Sequence, residues 1–212
     1  MTLETKKLLT FFKTIQGLKE VIRFKNQVFW RDYPFPERYE SVADHTWRMA
    51  VMLMVMEKHL AQPINLAKAL TMALLHDLPE IIAGDASPLG EKGTGEDAHP
   101  YNEEAAQKKR DAEEAAAQEI FGQLPEEQGQ EFYGLWREYE RQDSFEAKLV
   151  KAIDRIEGKL QALEYTKGNV YKQHQQFNVT YGNETYSIDP AIEELGMAVV
   201  EEFREQFKEY IP

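Results

Sequence analysis

Between Phe145 and Leu163 the apolar residues return every three or four positions: Phe145, Leu149, Ala152, Ile153, Ile156, Leu160 and Leu163. That period is the turn of an α-helix, and Ser144 can cap its start. The same period runs through residues 3–22, by way of Leu8, Leu9, Phe11, Phe12, Ile15, Leu18, Val21 and Ile22. Ser41-Val42-Ala43-Asp44 has the form of a capping box, which predicts a helix from near Val42 to about Leu60 with His45 in its first turns. Another helix is expected from about Asn65, carrying Leu66, Ala69, Leu70, Ala73 and Leu74. A highly charged helix at 101–121 and one from Pro125 to about Arg141 follow. Asp189-Pro190 opens the last, with Ile192, Leu195, Val199, Phe203 and Phe207 on one side. The expected fold class is all-α.

Three stretches read as loops. Asp32 to Arg38 has turn chemistry around Pro34 and Pro36. Residues 84–100 hold Gly84, Pro88, Gly90, Gly93, Gly95 and Pro100, and loops of that length often carry function. Residues 168–188 are polar, with room for a short hairpin at Val179–Ile188. No internal repeat or low-complexity segment is present, and the 212 residues fit one helical domain.

The net charge of −12 disfavours a nucleic-acid polymer as partner. A small phosphorylated ligand remains open, given local positive charge from a metal or from arginines. The absence of cysteine excludes disulfides and thiolate metal sites and fits a reducing cytoplasm, the expected location. No signal-peptide pattern follows Met1, and the longest apolar run, Ala50 to Met56, is too short to span a bilayer, so no membrane role is expected.

The string His76-Asp77-Leu78-Pro79-Glu80 carries the chemistry. His76 and Asp77 follow the apolar track Leu66, Ala69, Ala73 and therefore enter the core. A buried carboxylate is expensive unless paired or bound to a metal. Pro79 lacks an N–H and its ring opposes the carbonyl of Leu75, so the helix should break or restart there. If helical spacing survives the proline, Glu80 lies on the side of both His76 and Asp77. An imidazole with carboxylates suits a divalent first-row metal. The remaining ligands must come from elsewhere among His45, His59, His99, His174 and the acids. Asp154 borders the apolar face of its helix, with Gly158 leaving room beside it. Taken singly, His45 reads as a helix-start or core histidine, and Asp154 as the partner of Arg155 or Lys151.

Taken together, the order His45, His76-Asp77, Asp154 resembles that of the HD-domain metal-dependent phosphohydrolases. Glu80 and Gly84-Asp85 are similar to the branch that contains 5′-deoxynucleotidases. The resemblance spans about Leu18 to Tyr165, and its specific pieces are Glu40 to His45, His76 to Asp85, and Glu146 to Asp154. It implies an HD-domain helical bundle around a central metal, with that core at about 18–165 and a C-terminal loop and helix at 168–210. It implies His45, His76, Asp77 and Asp154 as metal ligands and one divalent ion, of which Co, Mn, Ni, Zn, Fe and Mg are all candidates. Glu80 would be the general base by its spacing. The resemblance adds Asp85 to the catalytic set and makes Arg23 the residue that holds the substrate phosphate. A member of the family carries Trp where this chain has Phe24, which bears on sugar selectivity. Trp30, Arg31 and Trp47 are further pocket candidates, each read more readily as packing.

The implied activity is release of phosphate from nucleoside 5′-monophosphates, 2′-deoxy forms above all, with a small nucleotide as ligand. The family precedent and the amphipathic terminal helices point to a homodimer. Competing readings are an HD phosphodiesterase or alarmone-type hydrolase, a non-catalytic metal-binding module, and a di-iron HD oxygenase. The last is disfavoured because only His99 is available as an extra ligand between His-Asp and the final Asp.

Overall fold

The computed structural model describes residues 2–23, 39–88, 90, 98–166 and 172–208, with the backbone alone at 165, 166 and 172–175. Its helices are α1 (Leu3–Ile15), α2 (Val42–Met56), α3 (Leu66–Leu75), α4 (Glu80–Ala83), α5 (Glu103–Phe121), α6 (Glu126–Arg141), α7 (Phe145–Thr166), α8 (Lys172–Thr180) and α9 (Pro190–Gln206). Short 3₁₀ segments lie at Gln16–Lys19, Glu57–His59 and Asn183–Ile188. Among the described residues there is no strand, only an isolated antiparallel bridge between Ile22 and Ser41. The all-α expectation holds.

The amphipathic helix read first in the sequence is the centre of the molecule. α7 packs against α2, α3, α6 and α9. Its Leu149, Ala152, Ile153 and Ile156 are fully buried with Met49 and Leu53 of α2, Met72 of α3 and Phe203 of α9. A second apolar cluster joins Phe11 and Leu18 to Val42, Leu75, Leu78, Ile120, Phe121 and Trp136. His76 stands at the junction of the two, following Ala73 of the first and Leu75 of the second.

Two local devices place the chemistry. At the start of α2 the capping box is complete: Asp44 N–H donates to Ser41 Oγ at 3.3 Å, and Ser41 N–H donates to Asp44 Oδ2 at 2.9 Å. The bridge beside it pins the preceding chain, with Arg23 N–H donating to the Glu40 carbonyl at 3.0 Å and Val42 N–H to that of Val21 at 2.9 Å. At Pro79 the helix breaks as expected. Leu78 N–H takes the Leu75 carbonyl at 3.1 Å, the acceptor that a donor at position 79 would have used. The tight turn His76–Pro79 then leads into α4, which begins at Glu80. Gly84 ends α4 at φ 79°, ψ 155°, a conformation that needs glycine, and turns the chain toward Asp85.

Three expectations are corrected. The first helix ends at Ile15 and tightens into 3₁₀ turns, where a Cβ at Gly17 would come within 3.0 Å of Ile81. Residues 172–180 form α8, not a loop. Val179–Ile188 is helical turn and 3₁₀ segment, not a hairpin: Gly182 reverses the chain at φ 75°, and Tyr186 is buried against Gly196. The turn at Asp32–Arg38 lies outside the described residues, as does most of the glycine-rich stretch from Gly90 to Gly95.

Candidate metal centre

His45 and His76 come from different helices and face each other, with ring centroids 5.6 Å apart. Both are buried. In each ring Nδ1 is occupied by an acceptor that fixes the tautomer. His76 Nδ1 donates to the Ala73 carbonyl at 2.8 Å, and His45 Nδ1 donates to the Glu157 carboxylate. Nε2 of each ring is left for the cluster, and both Nε2 atoms are buried without a hydrogen-bond partner. Asp154 Oδ1 lies 3.3 Å from His45 Nε2. Asp77 Oδ2 lies 3.0 Å from His76 Nε2 and 3.7 Å from His45 Nε2. The donor atoms of His45, His76 and Asp154 fall within 4.8 Å of one another. Two imidazoles and two carboxylates converging in a buried space make a donor set that suits a divalent cation.

The surrounding shell holds these donors in place. Trp136 Nε1 donates to the His76 carbonyl at 3.1 Å, and Tyr139 packs edge-on against the His76 ring. Lys151 Nζ lies 3.1 Å from Asp154 Oδ2, so the lysine pairing read for a solitary Asp154 coexists with its place in the cluster. Glu157 is gripped by Arg23 Nη1 at 3.0 Å and by Arg48 Nε at 2.7 Å, and Arg23 also pairs with Glu40 at 3.1 Å. Burial and Arg23 oppose a proton on His45, yet Glu157 and Asp154 outweigh them and raise its pKa to about 9. The same carboxylates that favour a proton on His45 would favour a divalent cation.

A cleft of about 140 Å³ opens beside the cluster. Asp77, Glu80, Asp85 and Asp154 line it, together with Arg23, Lys109, Lys151, Arg155 and Lys159. On a chain of net charge −12 this is the local positive charge that a phosphate ester requires. Glu80 is buried, and its Oε2 has no hydrogen-bond partner. Burial, then Asp77 and Asp85, push the Glu80 carboxyl well above the usual carboxylate range. His99 lines the same cleft, but it faces cations: burial, then Lys109, Arg155 and Lys151, lower its pKa to about 4.

A sequence model of the HD domain matches residues 18–196. The chain belongs to the HD-domain family. It is similar to the 5′-deoxynucleotidase HDDC2 of Homo sapiens, at 40% identity over 158 residues, 74% of this chain and 68% of that protein. It is also similar to HDDC2 of Xenopus laevis, at 39% over 160 residues, 76% of this chain and 70% of that one. In fold it matches a crystal structure described as a predicted metal-dependent phosphohydrolase from Magnetospirillum magnetotacticum MS-1. That match has a TM-score of 0.75 and 25% identity, covering 96% of this chain and 94% of that one. A divalent metal is the cofactor this HD-domain membership implies, and the donor set described above fits one.

The HD-domain cluster brings together His45, His76, Asp77 and Asp154, with Glu80, Asp85 and Arg23 in the adjoining cleft. Trp47 and His59 are exposed and take no part. Phe24, Trp30 and Arg31 lie outside the described residues, as does the side chain of His174. Glu157, Arg48 and Arg155 were not singled out by their sequence pattern. Glu157 left a signal: it sits at helical spacing among Ile153, Ile156 and Leu160, where a charged residue needs a partner.

Proposed function

We propose that this HD-domain chain is a metal-dependent phosphomonoesterase that releases phosphate from nucleoside 5′-monophosphates, with 2′-deoxyribonucleotides the preferred class. The observation that carries this reading is the pair of buried, unpartnered Nε2 atoms of His45 and His76, facing Asp77 and Asp154 beside a cleft rich in cations. The relatives named 5′-deoxynucleotidase support the substrate class.

In this reading His45, His76, Asp77 and Asp154 hold the divalent ion. When bound, the ion supplies Lewis acidity and lowers the pKa of water at the site. Glu80 takes the proton of the attacking water. The burial that raises its pKa makes the ionised carboxylate a stronger base, and a cation nearby favours that ionised form. Water adds at phosphorus, the ester P–O bond breaks, and the nucleoside leaves with a proton. Asp85, in the same cleft, serves the leaving oxygen or orients the substrate. Arg23 contacts the phosphate oxygens, a task that suits its planar fork. Phe24, where a member of the family has Trp, adjusts selectivity for the sugar.

The chain works in this reading as one folded unit over residues 1–212, in the cytoplasm and as a homodimer. Among the described residues no helix is long and apolar enough to cross a membrane. α1 leaves Leu3, Leu9 and Phe12 exposed, and α2 leaves Trp47, Met54 and Val55 exposed, apolar area that a second copy can cover. Light scattering of the purified protein tests the assembly. A phosphate-release screen over deoxy- and ribonucleoside 5′-monophosphates, crossed with divalent metals, tests the activity. Release from deoxy substrates above their ribo counterparts is the expected result, and equal rates would remove the sugar preference.

A further inference from the structure

Arg155 differs from the other cations of the cleft in what holds it. Arg23 is ion-paired with Glu40 and Glu157, Lys151 with Asp154, and Lys109 with Glu113. Lys159 Nζ donates to the Tyr181 carbonyl at 2.6 Å and to the Tyr186 hydroxyl at 2.8 Å. Burial, then the charge of Arg155, lower the Lys159 pKa to about 7. Arg155 has no carboxylate within ion-pair distance among the described residues.

Its position is nevertheless built. The guanidinium carbon stands 4.4 Å from the centroid of the Tyr181 ring, and Tyr181 stacks on Phe177 with centroids 4.4 Å apart and planes at 21°. Gly182 makes room for the arginine stem: a Cβ there would come within 2.8 Å of Arg155 Cδ, and its φ of +75° also favours glycine. Helix α7 sets the root of the side chain, Gly182 its stem and Tyr181 its flat face. A guanidinium stacked on a ring can present N–H groups at its edge to an oxyanion. A cation–π contact offsets part of the cost of a partly buried charge, but not in the way a counterion does. Arg155 lines the same cleft as Asp154, Glu80 and Arg23.

We propose that Arg155 is a second substrate-binding arginine, whose guanidinium contacts the phosphate oxygens of the bound ester alongside Arg23. Arg23 enters the site with its charge already matched by two carboxylates, whereas no carboxylate among the described residues pairs with Arg155, and the substrate phosphate would supply that partner. The inference takes its ligand class, a phosphate ester, from the reading above.

The test is calorimetric titration of inorganic phosphate into metal-loaded protein, wild type and Arg155→Gln, together with steady-state kinetics on a deoxynucleoside 5′-monophosphate. The phosphate Kd and the KM are expected to rise ~10-fold or more, as loss of a charge-assisted hydrogen bond implies, with kcat changed less. A folded Arg155→Gln protein with a phosphate Kd within about twofold of wild type would overturn the proposal. A readout on the unaltered chain guards against a variant that does not fold. With a diamagnetic divalent ion bound, the Arg155 Nε–H resonance is expected to shift as phosphate is added. Saturable binding that leaves this resonance unmoved contradicts the contact. The two readings separate cleanly. If no nucleotide is hydrolysed but Arg155→Gln still loses phosphate, the subsite stands and the nucleotidase reading falls. If nucleotides turn over with unchanged KM and Kd in the variant, the subsite falls alone.

Discussion

Glu157 holds the far side of the His45 ring: its carboxylate accepts from Nδ1 and leaves Nε2 facing Asp154 Oδ1 at 3.3 Å. The carboxylate is itself fixed by Arg23 and Arg48. Partners of this kind set the tautomer and basicity of a metal-binding histidine. Replacing Glu157 by Gln is expected to weaken metal binding ~10–100-fold, measured by competition with a chelator. The melting temperature should also fall, because Arg23 and Arg48 lose a shared countercharge, so the metal constant is read well below it.

Glu80 and Asp77 lie three residues apart but are assigned different tasks. Asp77→Ala is expected to lose the metal, read as metal content per chain after gel filtration. Glu80→Ala is expected to keep the metal and lose turnover by ~10²–10⁴-fold, the usual contribution of a general base. A Glu80→Ala protein with full rate would remove that role from Glu80.

His99 supplies a pH dependence. In the folded chain its pKa is lowered from 6.5 to about 4, by burial first and then by Lys109, Arg155 and Lys151. Between those values the unfolded chain binds the extra proton more readily than the folded one. The stability tied to a neutral His99 is therefore full above about pH 6.5 and declines as pH falls toward 4. Urea unfolding across this range should show that slope in the wild type, and His99→Gln should flatten it. The His99 ring proton signals should titrate with a midpoint near 4.

Gly84 sits at φ 79°, ψ 155°, between Glu80 and Asp85. No side chain blocks a Cβ there, since nothing lies within 4 Å, so the backbone alone resists substitution. Gly84→Ala is expected to destabilise the fold by about 1–3 kcal/mol, measured by denaturant unfolding. Because the turn aims Asp85, turnover should fall beyond what the unfolded fraction explains.

Much of this was legible in the residues. The Ser41 capping box placed His45, the apolar track of α3 delivered His76 and Asp77 to the interior, and Pro79 marked the break before Glu80. Asp154 could be put at the border of an apolar face, but only the fold brings it to His45. Arg155 showed in the sequence only as a possible partner of Asp154, since its stack depends on Tyr181, just past a helix hidden by the polar run from Lys172 to Gln176. The segment is held by tertiary contacts, among them the Lys159 bond to the Tyr181 carbonyl and Arg155 over the Tyr181 ring, and local spacing cannot report those. Tertiary context overrides propensity at such segments.

The most direct measurement is inorganic phosphate released from deoxynucleoside 5′-monophosphates by the purified chain, stripped of metal and then reloaded with Co²⁺ or Mn²⁺. Release that requires the added ion, and disappears in Asp77→Ala, is the result expected. A folded protein that binds the ion yet releases no phosphate from any nucleoside monophosphate with any divalent metal would contradict the account.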